Sequence, residues 1–142
     1  MNPETLFSLA NGLALIGWIL LIFAPRWRWT SKLVGSGLIP LLLASVYLVL
    51  IVLFFGRAEG GFSSLAEVGK LFRNEWAVLT GWVHYLAFDL FIGSWELRDS
   101  QDLGISHLWI VPCLLLTFML GPIGLLLYFA VSHRARSKES RL

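Results

Sequence analysis

Two ionisable side chains, His84 and Asp89, lie inside an otherwise apolar stretch, GWVHYLAFDLF at residues 81–91. A charge near the centre of a bilayer costs about 2.5–3.5 kcal/mol even on a lenient scale, so such residues usually face other helices and serve a function. Carboxyl and imidazole groups are common donors and acceptors of protons in enzymes. The pair therefore predicts acid–base chemistry within an apolar region.

Helical spacing separates this pair and groups another set of residues. At about 100° per residue, His84 and Asp89 lie about 140° apart, so they cannot hold one ion side by side. Gly93 leaves a gap that a ligand or a neighbouring helix can enter. It belongs to a polar seam with aromatic walls that occupies about 80° of one helical face. The polar seam consists of Trp82, Tyr85, Asp89, Gly93 and Glu96.

Further polar residues extend the candidate site. Asn11 lies in the middle of an earlier apolar run, and a buried amide needs partners, so we expect it to meet Asp89 or His84. Thr117, in a later apolar run, can join them. Nearer the membrane boundary the chain supplies more groups capable of proton transfer: Glu96, Asp99, Asp102 and His107.

Each candidate also has a purely structural interpretation. Asp89 and Asn11 can act as hydrogen-bonding links between helices, and His84 can be a packed neutral imidazole. Asp99 and Asp102 can belong to a solvated loop. A metal site is the less favoured hypothesis. Its ligands could come from His84, His107, Asp89, Glu96 and Asp99, but no HxxxH or ExxH spacing occurs, so no metal is predicted.

The elements that position these residues are predicted to be membrane helices. Of the 142 residues, 57% are hydrophobic and 14% charged, whereas about 25% are charged in an average globular domain. The net charge is only +2, and the basic residues flank apolar runs, where lipid headgroups rather than nucleic acid would meet them. The lone Cys113 has no partner for an intramolecular disulfide.

The predicted fold is all-α: a bundle of four transmembrane helices that forms one domain over residues 1–142. About 20 apolar residues cross a bilayer, and four segments qualify. The last contains Pro112 and Gly121-Pro122, which predicts a bend. The spans cover about residues 5–24, 33–55, 76–95 and 108–131, and a basic tail follows at 132–142.

A short interfacial helix is predicted between spans two and three. Ser64-Leu-Ala-Glu67 has the spacing of a capping box, in which Ser64 accepts from a backbone N–H and Glu67 reaches back to the cap. Apolar residues then repeat at helical spacing, as in helices that lie in the membrane interface. These residues are Leu65, Val68, Phe72 and Trp76.

Four spans would place both termini on one side of the membrane. That side would carry seven Lys and Arg residues and the other side four, which favours cytoplasmic or stromal termini, although the basic loop at 26–32 favours the opposite. The N-terminus has no basic region typical of a signal peptide. We expect a bacterial inner membrane or a thylakoid. A homodimer packed through Gly35-Ser-Gly37 and a monomer fit the sequence equally well.

Six stretches, spread over nearly the whole chain, resemble the abscisic acid deficient four-like family. Its plant member is implicated in making neoxanthin from violaxanthin, and the family is interpreted as having four membrane helices. The resemblance is carried by LANG (9–12), PRW (25–27), WAVLTGWVHYLAFDLFIG (76–93), DSQ (99–101), ISH (105–107) and LWIVPCLLLTFMLGP (108–122).

The resemblance implies a carotenoid end-group isomerase that opens an epoxide to an allenic alcohol. An acid would protonate the epoxide oxygen and a base would remove a vinylic proton, without a redox cofactor. The assignment is neutral Asp89 as the acid and neutral His84 as the base, with Asn11 orienting one of them. Glu96, Asp99 and His107 are further catalytic candidates. The polyene slot would be lined by Trp82, Tyr85, Phe88, Gly93 and Trp18.

Because His84 and Asp89 are separated on the helix, there are three alternative ways in which an acid and a base could reach the same end group. The end group can wrap the helix, Glu96 or Asp99 can replace one partner, or the site can lie between protomers. A competing hypothesis is a non-catalytic subunit that binds carotenoid, chlorophyll or lipid, or supports assembly of a photosynthetic complex. An ion carrier is a third hypothesis, but the sequence offers no relay across the whole membrane.

Overall fold

The structure is a computed structural model that describes residues 2–54 and 56–139, without the side chains of residues 138 and 139. Every regular element within this part of the chain is helical, which confirms the all-α prediction. The elements are α1 (Pro3–Phe23), α2 (Arg28–Thr30), a π-helical turn (Ser31–Gly35), α3 (Leu38–Phe54), α4 (Leu65–Leu71), α5 (Glu75–Asp102), α6 (His107–Leu120) and α7 (Pro122–Glu139).

Polar caps start the two helices that run side by side through the molecule. The Asn2 side chain accepts a hydrogen bond from the Thr5 backbone N–H at 2.8 Å, and Pro3 occupies the first turn of α1. The Asn74 side chain accepts from the backbone N–H of Trp76 at 2.9 Å and so begins α5. Both caps satisfy backbone donors that a helix leaves unpaired at its first turn.

Three helical segments are long and apolar enough to cross a membrane: α1, the run Arg28–Phe54, and α5. They correspond to the first three predicted spans. At 28 residues α5 is longer than predicted, because the chain from Glu96 to Asp102 continues the helix. Residues 96–102, which lie between the predicted spans at 76–95 and 108–131, are therefore helical rather than part of a connecting loop.

Helix α5 lies at the centre and α3 runs antiparallel along it. Near the start of α5, the Trp76 ring stacks on Phe54 with the ring centres 4.1 Å apart. Further along α5, the centre of the His84 ring lies 5.3 Å from that of Tyr47. At the other end, the Ser94 hydroxyl donates to the Val34 carbonyl at 3.0 Å. The central position explains why α5 is the least apolar of the three spans, since its polar residues face other helices.

Helix α1 runs parallel to α5 on another of its faces. The Phe7 and Trp82 rings lie 5.6 Å apart near the start of both helices. Further along, α1 approaches so closely at Gly17 that a Cβ there would lie 2.7 Å from a methyl group of Leu90. Small residues thus permit close packing between these helices, as is common in membranes.

Helix α6 runs back along α5 in the opposite direction. It begins beside the end of α1, where His107 Nε2 lies 2.9 Å from the Ile22 carbonyl. Ten residues later, the Thr117 hydroxyl bonds to Glu96 of α5. With 14 residues, α6 is about 21 Å long, which is shorter than the hydrocarbon core of a bilayer.

After Gly121 the chain reverses instead of continuing α6. Gly124 packs directly against the α6 backbone, and both Tyr128 and Arg136 of α7 bind Asp99, near the end of α5. A straight continuation would carry Tyr128 about 10 Å past the turn, away from Asp99. Helices α6 and α7 therefore form a hairpin that enters and leaves at the same end of the molecule, which we call the α6–α7 hairpin.

The α6–α7 hairpin corrects two predictions. The single fourth span at 108–131 is wrong, because the predicted bend at Gly121-Pro122 is a reversal. The first and last described helices also differ from the expectation of both termini on one side, because they end at opposite ends of the molecule. The first turn of α1 lies near the start of α5, whereas the last turns of α7 lie near its end.

The predicted short helix between spans two and three is present as α4. Of the two hydrogen bonds of the predicted capping box, the structure contains one. Ser64 Oγ accepts from the Glu67 backbone N–H at 3.2 Å, as expected. The Glu67 carboxylate pairs with Lys70 at 2.7 Å instead of reaching back to the cap. Leu65 is 89% exposed and Phe72 49% exposed, and the location of α4 in the membrane interface stays a prediction.

Candidate functional site

The Asp89 carboxyl group lies midway along α5, opposite the turn of the α6–α7 hairpin. A Cβ on Gly121 would lie 3.3 Å from Asp89 Oδ1 and 3.4 Å from Oδ2, so the turn presses its backbone against the carboxyl group. Asp89 is half-buried, and its buried Oδ2 has no hydrogen-bond partner among the described residues. A buried polar atom without a partner is unusual in a folded protein, and it suggests a role in binding or chemistry.

Tyr85 provides a hydroxyl group one helical turn before Asp89 on the same face. The hydroxyl donates to the Phe118 carbonyl at 3.1 Å. That carbonyl belongs to the last turn of α6, where helix carbonyls lack a partner within their own helix. The hairpin turn and the polar seam are thus joined by a hydrogen bond right beside Asp89.

Glu96 is the second carboxyl group of the polar seam, and it is fully buried. The Thr117 hydroxyl lies 2.9 Å from Oε1 and 3.1 Å from Oε2, so its single hydrogen is shared between them. Glu96 lies about 10 Å along α5 from Asp89. Thr117, which we expected near Asp89, His84 or Asn11, instead serves this enclosed carboxyl group.

The gap at Gly93 is filled by a neighbouring helix. A Cβ on Gly93 would lie 2.6 Å from Cη2 of Trp18, an α1 residue that is only 1% exposed. The Trp18 ring also lies 5.3 Å from Phe118. This indole therefore occupies the space between the Asp89 and Glu96 levels of the polar seam.

Asn11 does not meet either ionisable residue of α5. Its Oδ1 accepts from Trp82 Nε1 at 3.1 Å, and its Nδ2 donates to the Phe7 carbonyl at 2.8 Å. The expected contact of Asn11 with Asp89 or His84 is therefore wrong. Asn11 therefore contacts the polar seam through Trp82, the first residue of the seam along α5. The centre of the Trp82 ring lies 5.4 Å from that of Tyr85.

His84 faces α3, on a different side of α5 from Asp89. Its ring lies 5.3 Å from Tyr47 and stacks on Phe88 at 4.7 Å. The imidazole makes no hydrogen bond to any residue that the structure describes. The separation of about 140° expected from helical spacing is thus kept in the fold, and the two groups do not share one site.

Asp99 and His107 lie near the end of α5, away from Asp89. Asp99 is part of the helix rather than a loop, and it accepts from Tyr128 and from Arg136 Nη2 at 2.8 Å. His107 Nδ1 is buried and lacks a partner within the described chain, while Nε2 contacts α1. The ion pair with Arg136 fastens α7 to α5.

A cavity of about 450 Å³ lies on the His84 side of α5. It is partly open, it is lined by residues of α3, α5, α4 and the loop before α4, and its walls are mainly apolar. Sequence reasoning missed it, because its walls come from segments whose contact a single sequence does not reveal. The residues that matter below are Tyr47, Phe54, Phe62, Phe72, Ala77 and His84.

Two different environments thus flank α5. On one side, Asp89 offers a carboxyl group with a free oxygen beside a phenol, which can donate and accept protons. On the other side, His84 borders an apolar cavity. Among residues 2–54 and 56–139, no three His, Cys, Asp or Glu side chains come close enough to hold a metal ion.

A family model described as ABA DEFICIENT 4-like matches residues 5–128. No curated protein and no solved structure matches the chain. The matched region includes Asp89, Glu96 and the turn at Gly121.

Proposed function

The chain belongs to the ABA DEFICIENT 4-like family, and we propose that it isomerises an epoxide at a carotenoid end group to an allenic alcohol, as in the conversion of violaxanthin to neoxanthin. The observation that carries this proposal is the Asp89 carboxyl group, half-buried midway along a spanning helix with one oxygen free of any described partner. A substrate as apolar as a carotenoid would reach it from the lipid.

One carboxyl group suffices for both proton transfers. The Asp89 O–H donates its proton to the epoxide oxygen, and the C–O bond at the ring carbon next to the polyene breaks. The other carboxyl oxygen removes the proton from the adjacent vinylic carbon, and the electron pair of that C–H bond completes the allene. The oxygen remains as a tertiary hydroxyl group, and the carboxylic acid is restored, so atoms and electrons balance.

The neighbouring residues support this role for Asp89. The Tyr85 hydroxyl, one turn away, is available to orient the epoxide oxygen, and Trp82 flanks the approach to it. Because His84 faces α3, the mechanism does not use it as the base. Glu96 is enclosed and bonded to Thr117, so we assign it a structural role.

The test is pigment chromatography after incubation of the detergent-purified protein with violaxanthin. We expect neoxanthin from the wild type and none from Asp89→Asn, since an amide cannot donate and remove these protons. The matched control is Asp102→Asn, an exposed carboxylate at the end of the same helix, which should leave conversion intact. Neoxanthin formation by Asp89→Asn would remove the residue from the mechanism.

A second candidate function is a non-catalytic pigment- or lipid-binding subunit. It is favoured by the cavity beside His84, which is apolar and separate from the carboxyl groups. In that case the purified protein retains a pigment in fixed stoichiometry, visible in its absorption spectrum, and leaves violaxanthin unchanged. The same incubation therefore separates the two functions. A thylakoid or bacterial inner membrane location is part of both proposals.

A further inference from the structure

We propose that the cavity between α3, α4 and α5 is a binding site for an apolar ring that carries one hydroxyl or carbonyl oxygen, such as the end ring of an oxygenated isoprenoid. This His84 cavity has a volume of about 450 Å³. Sites for small molecules in proteins usually measure about 300–1,000 Å³ and combine apolar walls with a few polar groups. The cavity has both properties.

Aromatic side chains supply much of the wall. Phe54, Phe62 and Phe72 line the cavity, and Phe54 is held in place by its stack on Trp76. Flat aromatic faces pack well against a rigid ring, and the ring loses little conformational freedom on binding. A flexible acyl chain would lose more, so we favour a ring as the occupant.

Two polar groups on the wall are free to bind the oxygen of the ligand. The rings of Tyr47 and His84 lie 5.3 Å apart and both border the cavity. Neither the phenol hydroxyl nor the imidazole makes a hydrogen bond to a residue in the described ranges. Other polar residues on the wall are already engaged: Thr80 donates to the Trp76 carbonyl, and Asn74 caps α5.

The wall formed by the loop before α4 is held by specific contacts. The Gly61 backbone N–H donates to the Glu67 carbonyl at 3.3 Å. The Phe72 ring lies over Gly81, where a Cβ would be 3.0 Å from Phe72 Cε1. Gly81 therefore lets the ring lie back against α5, and a larger residue there would push Phe72 into the cavity.

The inference goes beyond the proposed catalysis, because α5 separates the His84 cavity from Asp89. Zeaxanthin and β-carotene are a suitable pair of probes, since they share polyene and rings and differ only in the ring hydroxyl groups. Neither contains an epoxide, so the catalytic chemistry proposed for Asp89 does not act on them. Binding can then be measured as pigment that stays with the detergent-purified protein during gel filtration.

We expect zeaxanthin to bind about two- to tenfold more tightly than β-carotene, the factor that one net hydrogen bond supplies. His84→Phe combined with Tyr47→Phe should remove this preference while keeping both rings. Ala77→Phe, which fills the cavity, should weaken binding of both pigments. Asp102→Asn, an exposed carboxylate at the end of α5, should change neither. Violaxanthin conversion measured on the same variants tells loss of catalysis from loss of this site.

Folding of each variant is checked by its elution profile and thermal unfolding. If Ala77→Phe does not fold, Gly81→Ala is the milder substitution, and its displacement of Phe72 should also weaken binding. Equal binding of the two pigments by the wild type would overturn the proposal, as would unchanged binding after the cavity is filled. Oleic acid is the competitor, and its displacing zeaxanthin at equal concentration would assign the cavity to acyl chains instead.

Discussion

The two carboxyl groups of the polar seam have different partners, and this difference supports the different roles proposed for them. Glu96 is fully buried and receives a hydrogen bond from Thr117. Asp89 is half-buried, lies beside the Tyr85 hydroxyl, and keeps one oxygen without a described partner. A satisfied and enclosed carboxyl group suits a structural role, whereas a half-buried aspartate whose buried oxygen lacks a partner suits chemistry.

Replacing Thr117 by Val should destabilise the protein, because it removes the hydroxyl donor to Glu96. A buried acceptor left without its donor costs about 1–3 kcal/mol. The matched control is Thr80→Val, whose hydroxyl donates only to the Trp76 carbonyl within the same helix, and which should cost less. Thermal unfolding in detergent measures both. Equal unfolding temperatures for the two variants would show that the bond to Glu96 contributes nothing.

Residue positions on one helix were predictable, but contacts between helices were not. The separation of His84 from Asp89 and the shared face of Asp89, Gly93 and Glu96 follow from the helical period alone. The partner of Asn11 depends on how far α1 is shifted along α5. That register arises from close packing at small residues, and one sequence does not specify it.

At the level of elements, the α6–α7 hairpin is what brings a turn to the middle of α5. Residues 108–131 contain enough apolar residues to cross a bilayer, and hydropathy carries no information on chain direction. The turn itself depends on Gly121, whose φ of +48° and ψ of −99° suit only glycine. Pro122 begins α7, where a missing N–H is harmless.

Gly121→Ala should therefore lower both stability and activity. The strained backbone would cost at least about 1 kcal/mol, and the added Cβ would lie 3.3 Å from Asp89 Oδ1. Gly12→Ala is the control, since a Cβ there meets nothing within 4 Å and alanine favours the helix. Unfolding temperature and conversion rate should fall for the first variant only. Wild-type behaviour of Gly121→Ala would argue against the tight turn.

At the level of the whole molecule, the hairpin changes the expected orientation in the membrane. Among the residues whose side chains the structure describes, the end of the molecule where α5 terminates carries six basic residues: Arg26, Arg28, Lys32, Arg98, Arg134 and Arg136. The other end carries three: Arg57, Lys70 and Arg73. The positive-inside rule then favours a cytoplasmic or stromal location for the end of α7 and the opposite side for the start of α1.

Labelling of single introduced cysteines tests this arrangement. Glu59→Cys, Ser106→Cys and His133→Cys all lie at exposed positions, and the native Cys113 is buried. In intact cells a membrane-impermeant maleimide should label position 59 and should reach 106 and 133 only after the membrane is opened. Four complete spans would instead put position 133 on the side of 59, and that pattern would rule out the hairpin.

The membrane character and the all-helical fold were predictable from composition, because so few charged residues cannot solvate a chain this apolar. The number of crossings was not, since it depends on one backbone reversal at Gly121. The same holds for the candidate site. Asp89 was identified from the sequence, but its neighbours in the hairpin turn were not, because they depend on the same reversal.

Catalysis by Asp89 is tested by the initial rate of neoxanthin formation from violaxanthin by wild type, Asp89→Asn and Asp102→Asn, each with its folding verified. General acid–base catalysis contributes about 10²–10⁴-fold to rates. Asp89→Asn is expected to lose at least about 100-fold in rate, while Asp102→Asn keeps the wild-type rate. Equal rates for wild type and Asp89→Asn would contradict this role of Asp89.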